Sequence, residues 1–315
     1  MVVCSRCSRR KAVMEQRYSA LSLCKNCFLE LFEKRVKKAN RDFGLLRRGD
    51  RIAVAVSGGK DSAAMLYSLN GLSKKIGEIE LMPVLVDEGI VGYRNLAMEK
   101  AGELCELLDL SLEVRSFKKE WGLSLDEMIK KRNEKELKEG ACTYCGVFRK
   151  WVLNKAAREL EANKVAIGHN ADDFAQTFLM NLMRNEPERL KRFGPLSGIE
   201  EQELFVRRIK PLIYCLEKEC ALYAELKGIP YYVGECPYSG EAFRGIVKNF
   251  LNEAENKYPG VKYNILSSFL SIKKELSAGN KSESSEKRKP LICEKCGHHS
   301  SSKICKACEF LEDLA

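Results

Sequence analysis

Residues 51–62 read RIAVAVSGGKDS, an apolar run that ends in a turn with two glycines. The run RIAVAVS predicts a buried strand of a parallel sheet, and AAMLYSLNGL after the turn predicts a helix. Two glycines let the backbone approach a ligand closely, and N–H groups at a helix start form an anion-binding concavity. The stretch therefore predicts a phosphate-binding loop rather than a generic Gly-Gly turn. It matches neither G-x-x-x-x-G-K-S/T nor G-x-G-x-x-G.

Strands and helices alternate along the chain that follows this loop. The segments IELMPVLVDEG (79–89) and SLEVRSF (111–117) predict two more strands, each preceded by a helical stretch. This order indicates a doubly wound α/β domain with a mostly parallel sheet. Four later segments have predicted structures: NKVAIGHN (163–170) as a strand, FVRRIKPLIY (205–214) as a late edge strand, IPYYVGE (229–235) as a short strand, and 245–275 as helix.

Length and composition limit the class of protein. The 315 residues are 45% hydrophobic, enough to bury a large core. No signal peptide and no apolar run of membrane-spanning length is found, so we expect a cytoplasmic protein without a membrane span. The net charge of +10 favours an anionic partner, of which nucleic acid is the commonest, although a solvated basic surface is the alternative.

Eight of the fourteen cysteines form doubled Cys-x-x-Cys pairs near the two ends of the chain. Two such pairs supply four thiolates, which suits a tetrahedral structural Zn²⁺ site; unrelated buried cysteines are the alternative. Neither end is long enough to bury a core, so bound metal would fold it. The predicted ligands are Cys4, Cys7, Cys24 and Cys27 at one end and Cys293, Cys296, Cys305 and Cys308 at the other. The predicted units are residues 1–30 (zinc), 31–276 (catalytic domain), 277–290 (linker) and 291–315 (zinc).

Six cysteines remain outside these units. Cys105, Cys215 and Cys220 are expected to pack in the core, since a free cysteine behaves as a small hydrophobe. Cys142 and Cys145 form a lone Cys-x-x-Cys pair, which in a cytosolic βαβ protein is typical of redox chemistry. We expect this pair and Cys236 to lie in turns next to regular structure.

The string AVAVSGGKDS resembles the PP-loop of the ATP pyrophosphatases, the adenine-nucleotide α-hydrolase-like enzymes that cleave ATP to AMP and pyrophosphate. This resemblance implies an ATP site built from Ala55, Ser57, Gly58, Gly59, Lys60, Asp61, Ser62, Val86 and Gly168. It further implies that Asp172 or Asp173 serves in catalysis or holds Mg²⁺, with Asp61 also catalytic. Helix capping by Asp172 is the alternative, because Asp is a good cap. His169 is interpreted either as a structural or as a catalytic histidine.

Three further segments, ACTYCGVFRK (141–150), AIGHNADDFAQTFLMNLMR (166–184) and ECPYS (235–239), resemble the tRNA 2-thiouridine synthetases over nearly the whole chain. The resemblance is greater to the branch that thiolates the wobble uridine than to the branch that thiolates the T-loop uridine. It implies that Cys142, Cys145 and Cys236 hold a 4Fe–4S cluster with one open iron, and that Arg149 lies near the ATP phosphates. A cysteine pair without metal and a surface salt bridge are the respective alternatives.

The implied reaction adenylates the uracil C2 oxygen and then replaces it with sulfur. The implied partners are tRNA, a sulfur donor (a ubiquitin-like thiocarboxylate protein or sulfide) and a second copy of the chain in a homodimer. RNA contacts are expected at Arg47–Arg48, Arg184, Lys191–Arg192 and Arg207–Arg208. Two alternatives are another tRNA-adenylating enzyme of the PP-loop type and, from a different class, a zinc-knuckle RNA-binding protein without catalysis.

Overall fold

The computed structural model describes residues 2–197, 205–241, 243–279, 291–300 and 302–315. A six-stranded sheet forms its centre, with the strand order β5-β4-β3-β6-β8-β7. Its strands are β3 (Arg51–Ala55), β4 (Glu80–Asp87), β5 (Glu113–Ser116), β6 (Lys164–Ala166), β7 (Leu196–Ser197) and β8 (Arg207–Ile209). All neighbouring pairs are parallel except β7–β8, which is antiparallel. The predicted doubly wound, mostly parallel α/β sheet is therefore confirmed.

Helices cover both faces of this sheet. They are α1 (Lys25–Phe43), α2 (Lys60–Ile76), α3 (Arg94–Leu107), α4 (Phe117–Trp121), α5 (Leu125–Glu134), α6 (Ala141–Glu159), α7 (Ala171–Met183), α8 (Pro187–Arg192), α9 (Glu217–Lys227), α10 (Phe243–Lys257), α11 (Val261–Gly279) and α12 (Lys306–Leu314). Alternate residues of β3 face opposite sides: Ile52 and Val54 lie in one core with α1 and α2, and Ala53 lies in the other with α6. Because both faces are covered, the middle of β3, residues 52–54, is apolar on both sides.

Each end of the chain adds a small hairpin unit. The strands β1 (Met14–Gln16) and β2 (Leu21–Leu23) pair antiparallel near the start, and β9 (Leu291–Ile292) and β10 (His299–Ser300) do so near the end. In both units the last Cys-x-x-Cys pair opens a helix: Cys24 caps α1 and Cys305 caps α12.

The amino-terminal unit is joined to the domain by a buried polar network around Glu219 on α9. Glu219 is fully buried, and its carboxylate pairs with Arg35 at 2.5 Å. It also accepts hydrogen bonds from Gln16 at 2.8 Å and from the Tyr18 hydroxyl at 2.9 Å. A buried carboxylate needs such partners, because an unpaired charge in the interior is strongly unfavourable. The hairpin, α1 and α9 are therefore held to one another.

The carboxyl-terminal unit packs on α6. Phe310 of α12 is buried against Tyr144, with ring centroids 4.4 Å apart, and against Phe148 at 6.4 Å. The His298 ring lies 4.1 Å from the Trp151 ring. Tyr144, Phe148 and Trp151 all lie on α6, the helix that begins with the Cys142–Cys145 pair. The carboxyl-terminal unit therefore packs directly against that helix.

Several predicted boundaries differ from the structure. The segment 229–235 is not a strand: Pro230 lacks an N–H group, and the Tyr232 N–H instead donates to the Gly58 carbonyl at 2.8 Å. The segment 205–214 is not the sheet edge, because β7 pairs outside β8. The region 245–275 forms two helices rather than one, because the helix is interrupted at Pro259 and Gly260.

Two helices extend across the predicted unit boundaries. Helix α1 begins at Lys25, inside the predicted zinc unit, and α11 continues to Gly279, into the predicted linker 277–290. The rest of that linker, 280–290, lies outside the described residues. Among the described residues, no helix is both long enough and apolar enough to span a membrane.

Candidate functional site

The candidate site lies at the carboxyl edge of the sheet, where β3 and β6 lead into turns that precede α2 and α7. Ligands of doubly wound domains bind outside the carboxyl ends of the strands. Ala55 ends β3, and the buried Val86 is the next-to-last residue of β4. Ala55 and Val86, both predicted to belong to the ATP site, therefore lie at the edge of the sheet that carries the phosphate loop.

The loop 57–59 is held in shape by its own hydroxyl groups. The Ser62 hydroxyl accepts from the Ser57 N–H at 3.1 Å and donates to the Gly59 carbonyl at 2.9 Å. The Ser57 and Ser62 hydroxyl oxygens lie 3.0 Å apart. Gly59 is the N-cap of α2, so the positive end of that helix opens directly beyond the loop. The arrangement is a preformed anion cradle.

Two glycines are required by close backbone approaches. Gly58 has φ +82°, and a Cβ there would lie 2.0 Å from the carbonyl oxygen of Ala97 on α3. Gly168 follows β6, and a Cβ there would lie 3.2 Å from the Ser62 backbone nitrogen. The loop is therefore pressed between α3 and the β6 turn.

Two carboxylates, Asp61 and Asp173, face this loop region. Asp61 accepts from Lys60 at 2.9 Å and from the Asn170 side-chain amide at 3.0 Å. Asp173 completes a capping box with Asn170 and lies 3.5 Å from Arg244. Burial raises the pKa of Asp173 to about 6, opposed by Arg244 and by the Asn170 N–H, while the nearby Asp61 raises it further. Carboxylate oxygens are the protein ligands that Mg²⁺ prefers, and these two are near each other.

Asp172 points elsewhere. It is buried, it pairs with Lys262 of α11, and it accepts the Glu217 N–H of α9 at 2.7 Å. Its carboxylate joins α7 to α9 and α11. Its catalytic role stays a prediction, whereas the expectation that it caps α7 is wrong. Asn170 is the cap, since the helix begins at Ala171 and the Asn170 side chain accepts the Asp173 N–H.

Sequence reasoning missed the charged residues that α9 and α10 bring to the loop. Glu217 accepts from Lys60 and from Lys248, both at 2.9 Å. Although burial lowers the pKa of Lys60, Asp61 and Glu217 raise it well above its ordinary value, so this lysine is charged at neutral pH. These residues lie more than 150 positions from the loop in sequence, and no local pattern marks them.

The three central cysteines come together from two segments. Cys142 and Cys145 lie in the first turns of α6, not in a turn before it, because the helix begins one turn earlier than its apolar pattern suggests. Cys236 lies in the loop before Tyr238, as expected for a turn. The Cys142 thiol lies 3.6 Å from the Tyr238 carbonyl oxygen, and the Tyr238 hydroxyl donates to Asp126 of α5 at 2.7 Å. These contacts hold the Cys236 loop over the start of α6.

The thiols of this pocket share one electrostatic environment with Arg149. Burial raises the pKa of Cys145 to about 11, Arg149 opposes this rise, and Cys236 and Cys142 add to it. In the described chain these three sulfur atoms are not gathered within 4.8 Å as the terminal quartets are. The four thiolates bound to a single metal ion lie within about that distance of one another. Three cysteine thiols are the donor set of an iron–sulfur cluster with one iron left open, and that these three hold such a cluster stays a prediction.

Arg149 is joined to the phosphate loop through residues not identified from the sequence. Its Nη1 lies 3.5 Å from Glu88, which follows β4, and Glu88 pairs with Arg94 at 2.8 Å. Arg94 in turn donates to the Ser57 carbonyl at 3.0 Å. In the sequence, Glu88 belongs to the acidic end of IELMPVLVDEG, from which only the end of a strand was predicted.

The His169 side chain, on the turn after β6, is exposed to solvent on one side. The protein packed near it, together with the charges of Lys210, Arg244 and Arg149, lowers its pKa below the ordinary value. The ring is therefore neutral at physiological pH. It can accept or donate a hydrogen bond there, but it does not carry a positive charge.

The terminal cysteine quartets fit single tetrahedral ions. Sulfur atoms at about 2.3 Å from a tetrahedral Zn²⁺ lie about 3.8 Å apart. The Cys7–Cys24 and Cys293–Cys308 separations are both 3.8 Å, and within each quartet all four sulfurs lie within 4.8 Å. Burial acts to raise the pKa of Cys4 and Cys293, but backbone N–H groups at each sulfur lower it to about 6. Burial and the neighbouring thiols raise the pKa of Cys27 and of Cys308, so the four thiols of a quartet do not all ionise unless a cation neutralises them.

The three cysteines expected in the core are there. Cys105, Cys215 and Cys220 are buried among apolar side chains of the α1–α2–α3–α9 face. Burial raises the pKa of Cys105 to about 11 and that of Cys215 and Cys220 further, so all three remain neutral thiols.

Two family models match the chain. The PP-loop domain matches residues 28–255, and the N-terminal LIM domain of the 2-thiouridine synthetase TtuA matches residues 3–29. The cytoplasmic tRNA 2-thiolation protein 1 of Danio rerio is 35% identical over 318 residues, covering 99% of this chain and 88% of that protein. The tRNA 2-thiolation protein NcsA of Haloferax volcanii is 36% identical, covering 99% and 98%. A probable sulfurtransferase of Methanocaldococcus jannaschii is 39% identical, covering 96% and 86%.

One solved structure is similar over the whole chain. It is the U34-tRNA thiolase NcsA from Methanococcus maripaludis with its 4Fe–4S cluster. The two structures superpose with a TM-score of 0.83 at 30% sequence identity, covering 100% of this chain and 97% of that one.

Replacing Gly58 with Ala should weaken ATP binding by roughly 10- to 100-fold, because the new Cβ forces the loop away from Ala97 and positive φ disfavours alanine. Calorimetric titration with a non-hydrolysable ATP analogue measures this. Gly71 in α2 is the matched control, since a Cβ there meets open space and G71A should bind ATP normally. Equal affinities for G58A and the wild type would contradict the assigned loop geometry.

The stability difference between wild type and D173N should depend on pH. The folded-state pKa of Asp173 is raised to about 6, so between its unfolded pKa and that value the folded protein binds the extra proton, and stability falls as pH rises. Asn does not titrate. From pH 5 to pH 7.5 the wild type should lose roughly 1 kcal/mol relative to D173N. Thermal unfolding of both proteins across this range tests the effect, and a pH-independent difference would refute it.

Proposed function

Because the chain belongs to the PP-loop family of tRNA 2-thiolation proteins, we propose that it catalyses ATP-dependent 2-thiolation of a tRNA uridine at the wobble position. One observation carries the proposal: the preformed phosphate loop and three cysteines from two separate segments open on the same edge of the sheet. The likeness to a U34-tRNA thiolase over 97% of that chain supports the choice of uridine. The protein is then a tRNA-uridine 2-sulfurtransferase that forms AMP and pyrophosphate.

The first step requires that the loop bind the ATP phosphates. Uracil O2 is a poor leaving group, so it first attacks the α-phosphorus, and pyrophosphate leaves. The N–H groups at the start of α2 face the negative charge that develops on the phosphates, and Lys60 adds a fixed positive charge. Asp61 and Asp173 would hold Mg²⁺, which would neutralise the phosphate charge further.

The second step replaces oxygen with sulfur. A sulfur nucleophile adds to C2, and AMP leaves with the former O2 atom. With sulfide or a thiocarboxylate as donor, no net oxidation or reduction is needed. Cys142, Cys145 and Cys236 would hold a 4Fe–4S cluster, whose contribution when bound is an iron atom without a protein ligand that can take up sulfur. Arg149 contributes a permanent positive charge between this pocket and the loop.

Neutral His169 and the basic groups around it complete the pocket. His169 can hydrogen-bond to the uracil ring without repelling the basic groups, and Arg244, beside Asp173, faces the loop region. The two terminal quartets would hold Zn²⁺ in a structural role, because four protein thiolates leave no open position. A cytoplasmic location is supported by the name of the Danio rerio relative. The homodimer stays a prediction.

The tRNA would contact the basic rim that Lys150 and Arg208 form beside the cysteine pocket. Lys150 follows Arg149 on α6, and Arg208 donates to the Lys150 carbonyl at 3.4 Å. Surrounding protein and the nearby charges of Arg208, Arg149 and Arg189 lower the pKa of Lys150. Within the described chain neither side chain forms an ion pair with a carboxylate, so phosphate would relieve the repulsion.

Other basic stretches expected at the RNA are less suited to it. Arg48 pairs with Glu78 at 2.6 Å at the amino edge of the sheet, opposite the site. Arg184 lies over the Phe243 ring, and Lys191 pairs with Glu188 at 2.7 Å. The basic rim is therefore the proposed phosphate contact nearest to the reacting groups.

A T-loop uridine is the second candidate target. The observation that favours it is the match of residues 3–29 to the N-terminal domain of the 2-thiouridine synthetase TtuA. This match covers only the amino-terminal unit, whereas the U34-tRNA thiolase resembles the whole chain.

Anaerobically purified protein should thiolate unmodified tRNA when given ATP, Mg²⁺ and sulfide, and mass spectrometry of the digested product should find 2-thiouridine at the wobble position. C236S should lose this activity by at least about 100-fold, together with its iron and visible absorption, because one of three cluster ligands is gone. C105A, which alters a buried core cysteine, is the control and should retain both. Thiolation of the T-loop alone would select the second candidate, and activity that survives in C236S would refute the three-cysteine site.

Removing the charges of the basic rim should weaken tRNA binding in a salt-dependent way. For K150Q/R208Q, the slope of log affinity against log salt should become shallower by about 1 to 2, one phosphate contact per residue. Binding measured at four or more salt concentrations gives the slope. R48Q, which removes one positive charge at the opposite edge of the sheet, is the control and should leave the slope unchanged. An unaltered slope in the double variant would exclude this rim as a phosphate contact.

A further inference from the structure

We propose that Glu88 is a positioning residue that orients Arg149, and with it the charge beside the cysteines, relative to the phosphate loop. The inference rests on the proposed function, because it concerns the same site. A buried carboxylate would then help to set the position of the cysteine-bearing part of the site relative to the ATP-binding part.

Glu88 is a buried carboxylate with two cationic partners from two different helices. It is 2% exposed. One carboxylate oxygen lies 2.8 Å from Arg94 Nε at the start of α3, and the other lies 3.5 Å from Arg149 Nη1 on α6. A buried carboxylate is retained in its charged form only when cations and hydrogen-bond donors surround it. Here that requirement links α3 to α6 through a single side chain.

The Arg94 side of the link reaches the phosphate loop. The Arg94 side chain is 4% exposed, and it donates to the Ser57 carbonyl at 3.0 Å and also to the Val86 carbonyl. The guanidinium thus makes two hydrogen bonds and one ion pair, and its planar shape lets it reach all three partners at once, which a lysine would not do. The first loop residue, the end of β4 and Glu88 are therefore linked through one side chain.

The Arg149 side of the link reaches the cysteines. Arg149 lies one helical turn after Cys145 on α6, so its positive charge stands beside the cysteine pair. Its side chain is half exposed, and Glu88 is its carboxylate partner in the described chain. A contact of 3.5 Å is long for a charged pair, so Arg149 can still turn towards a substrate phosphate while Glu88 sets its starting position.

Glu88 is itself immobilised by its backbone. Its carbonyl accepts the Leu125 N–H of α5 at 2.7 Å. The following residue, Gly89, has φ +70°, and a Cβ there would lie 2.6 Å from the Ser124 Cβ. The turn after β4 therefore has one conformation, and the carboxylate starts from a fixed point.

The test compares two measurements on E88Q, which keeps the shape of the side chain and removes its charge. Single-turnover thiolation of tRNA should fall at least tenfold, as expected when a catalytic arginine is misplaced by about 1 Å. Binding of an ATP analogue to the iron-free protein should change by less than about threefold, because the loop hydroxyl and N–H groups are untouched. D50N is the matched control: Asp50 is equally buried and pairs with Lys164 at 2.6 Å at the opposite edge of the sheet, so its thiolation rate should stay normal.

A double-mutant cycle shows whether Glu88 acts through Arg149. If it does, E88Q/R149Q should be no slower than R149Q alone, within about twofold. Fully multiplicative losses, or an E88Q rate within threefold of wild type, would overturn the proposal. An equal loss of ATP binding and thiolation would also overturn it, since that indicates collapse of the loop rather than misplacement of Arg149.

A second variant keeps the proposal open to refutation if E88Q does not fold. E88D retains the buried charge but draws the carboxylate back by one methylene, away from Arg149. A wild-type rate in E88D would overturn the proposal, and a loss that R149Q does not deepen would support it. The failure of wild-type protein to thiolate any tRNA would refute the proposed function itself, which separates the two hypotheses.

Discussion

The absence of a side chain at Gly58 is the constraint on which the rest of the site depends. The loop backbone lies so close to Ala97 of α3 that a Cβ would meet its carbonyl oxygen at 2.0 Å. This contact places the loop directly over the start of α3, where Arg94 reaches the Ser57 carbonyl. From Arg94 a chain of charges continues through Glu88 to Arg149 on the cysteine-bearing helix. The position of the phosphate loop relative to α3 therefore depends on close backbone packing at a single glycine.

The two terminal units stabilise opposite sides of this arrangement. The amino-terminal hairpin and α1 are tied to α9 through the buried Glu219, and α9 carries Glu217, the partner of Lys60. The carboxyl-terminal unit packs Phe310 against Tyr144, between the two cysteines of α6. Each unit carries a cysteine quartet that could bind a metal ion, and each packs beside one half of the site.

The charge of the protein is distributed in the way that an anionic substrate requires. Near the loop, Lys60 and Lys248 share Glu217, so these cations are paired before ATP arrives. Near the cysteines, Lys150 and Arg208 repel one another and lack carboxylate partners in the described chain. Lys150 is exposed, so the unbalanced charge can attract a polyanion at long range.

The sequence alone determined the sheet class, the phosphate loop, the two cysteine quartets and the three buried cysteines. These features depend on local signals: apolar runs of strand length, glycines at a strand-to-helix junction, and Cys-x-x-Cys spacing. Several other features were decided only by the tertiary structure. Asn170 rather than Asp172 caps α7. Segment 229–235 bonds to the phosphate loop through the Tyr232 N–H instead of joining the sheet. Glu88, Arg94 and Glu217 also become part of the site. Glu217 and Lys60 are 157 positions apart in sequence, and Arg94 and Ser57 are 37 apart, so these contacts exist only in the folded chain. A buried charge depends on such a neighbour, which no local pattern reveals.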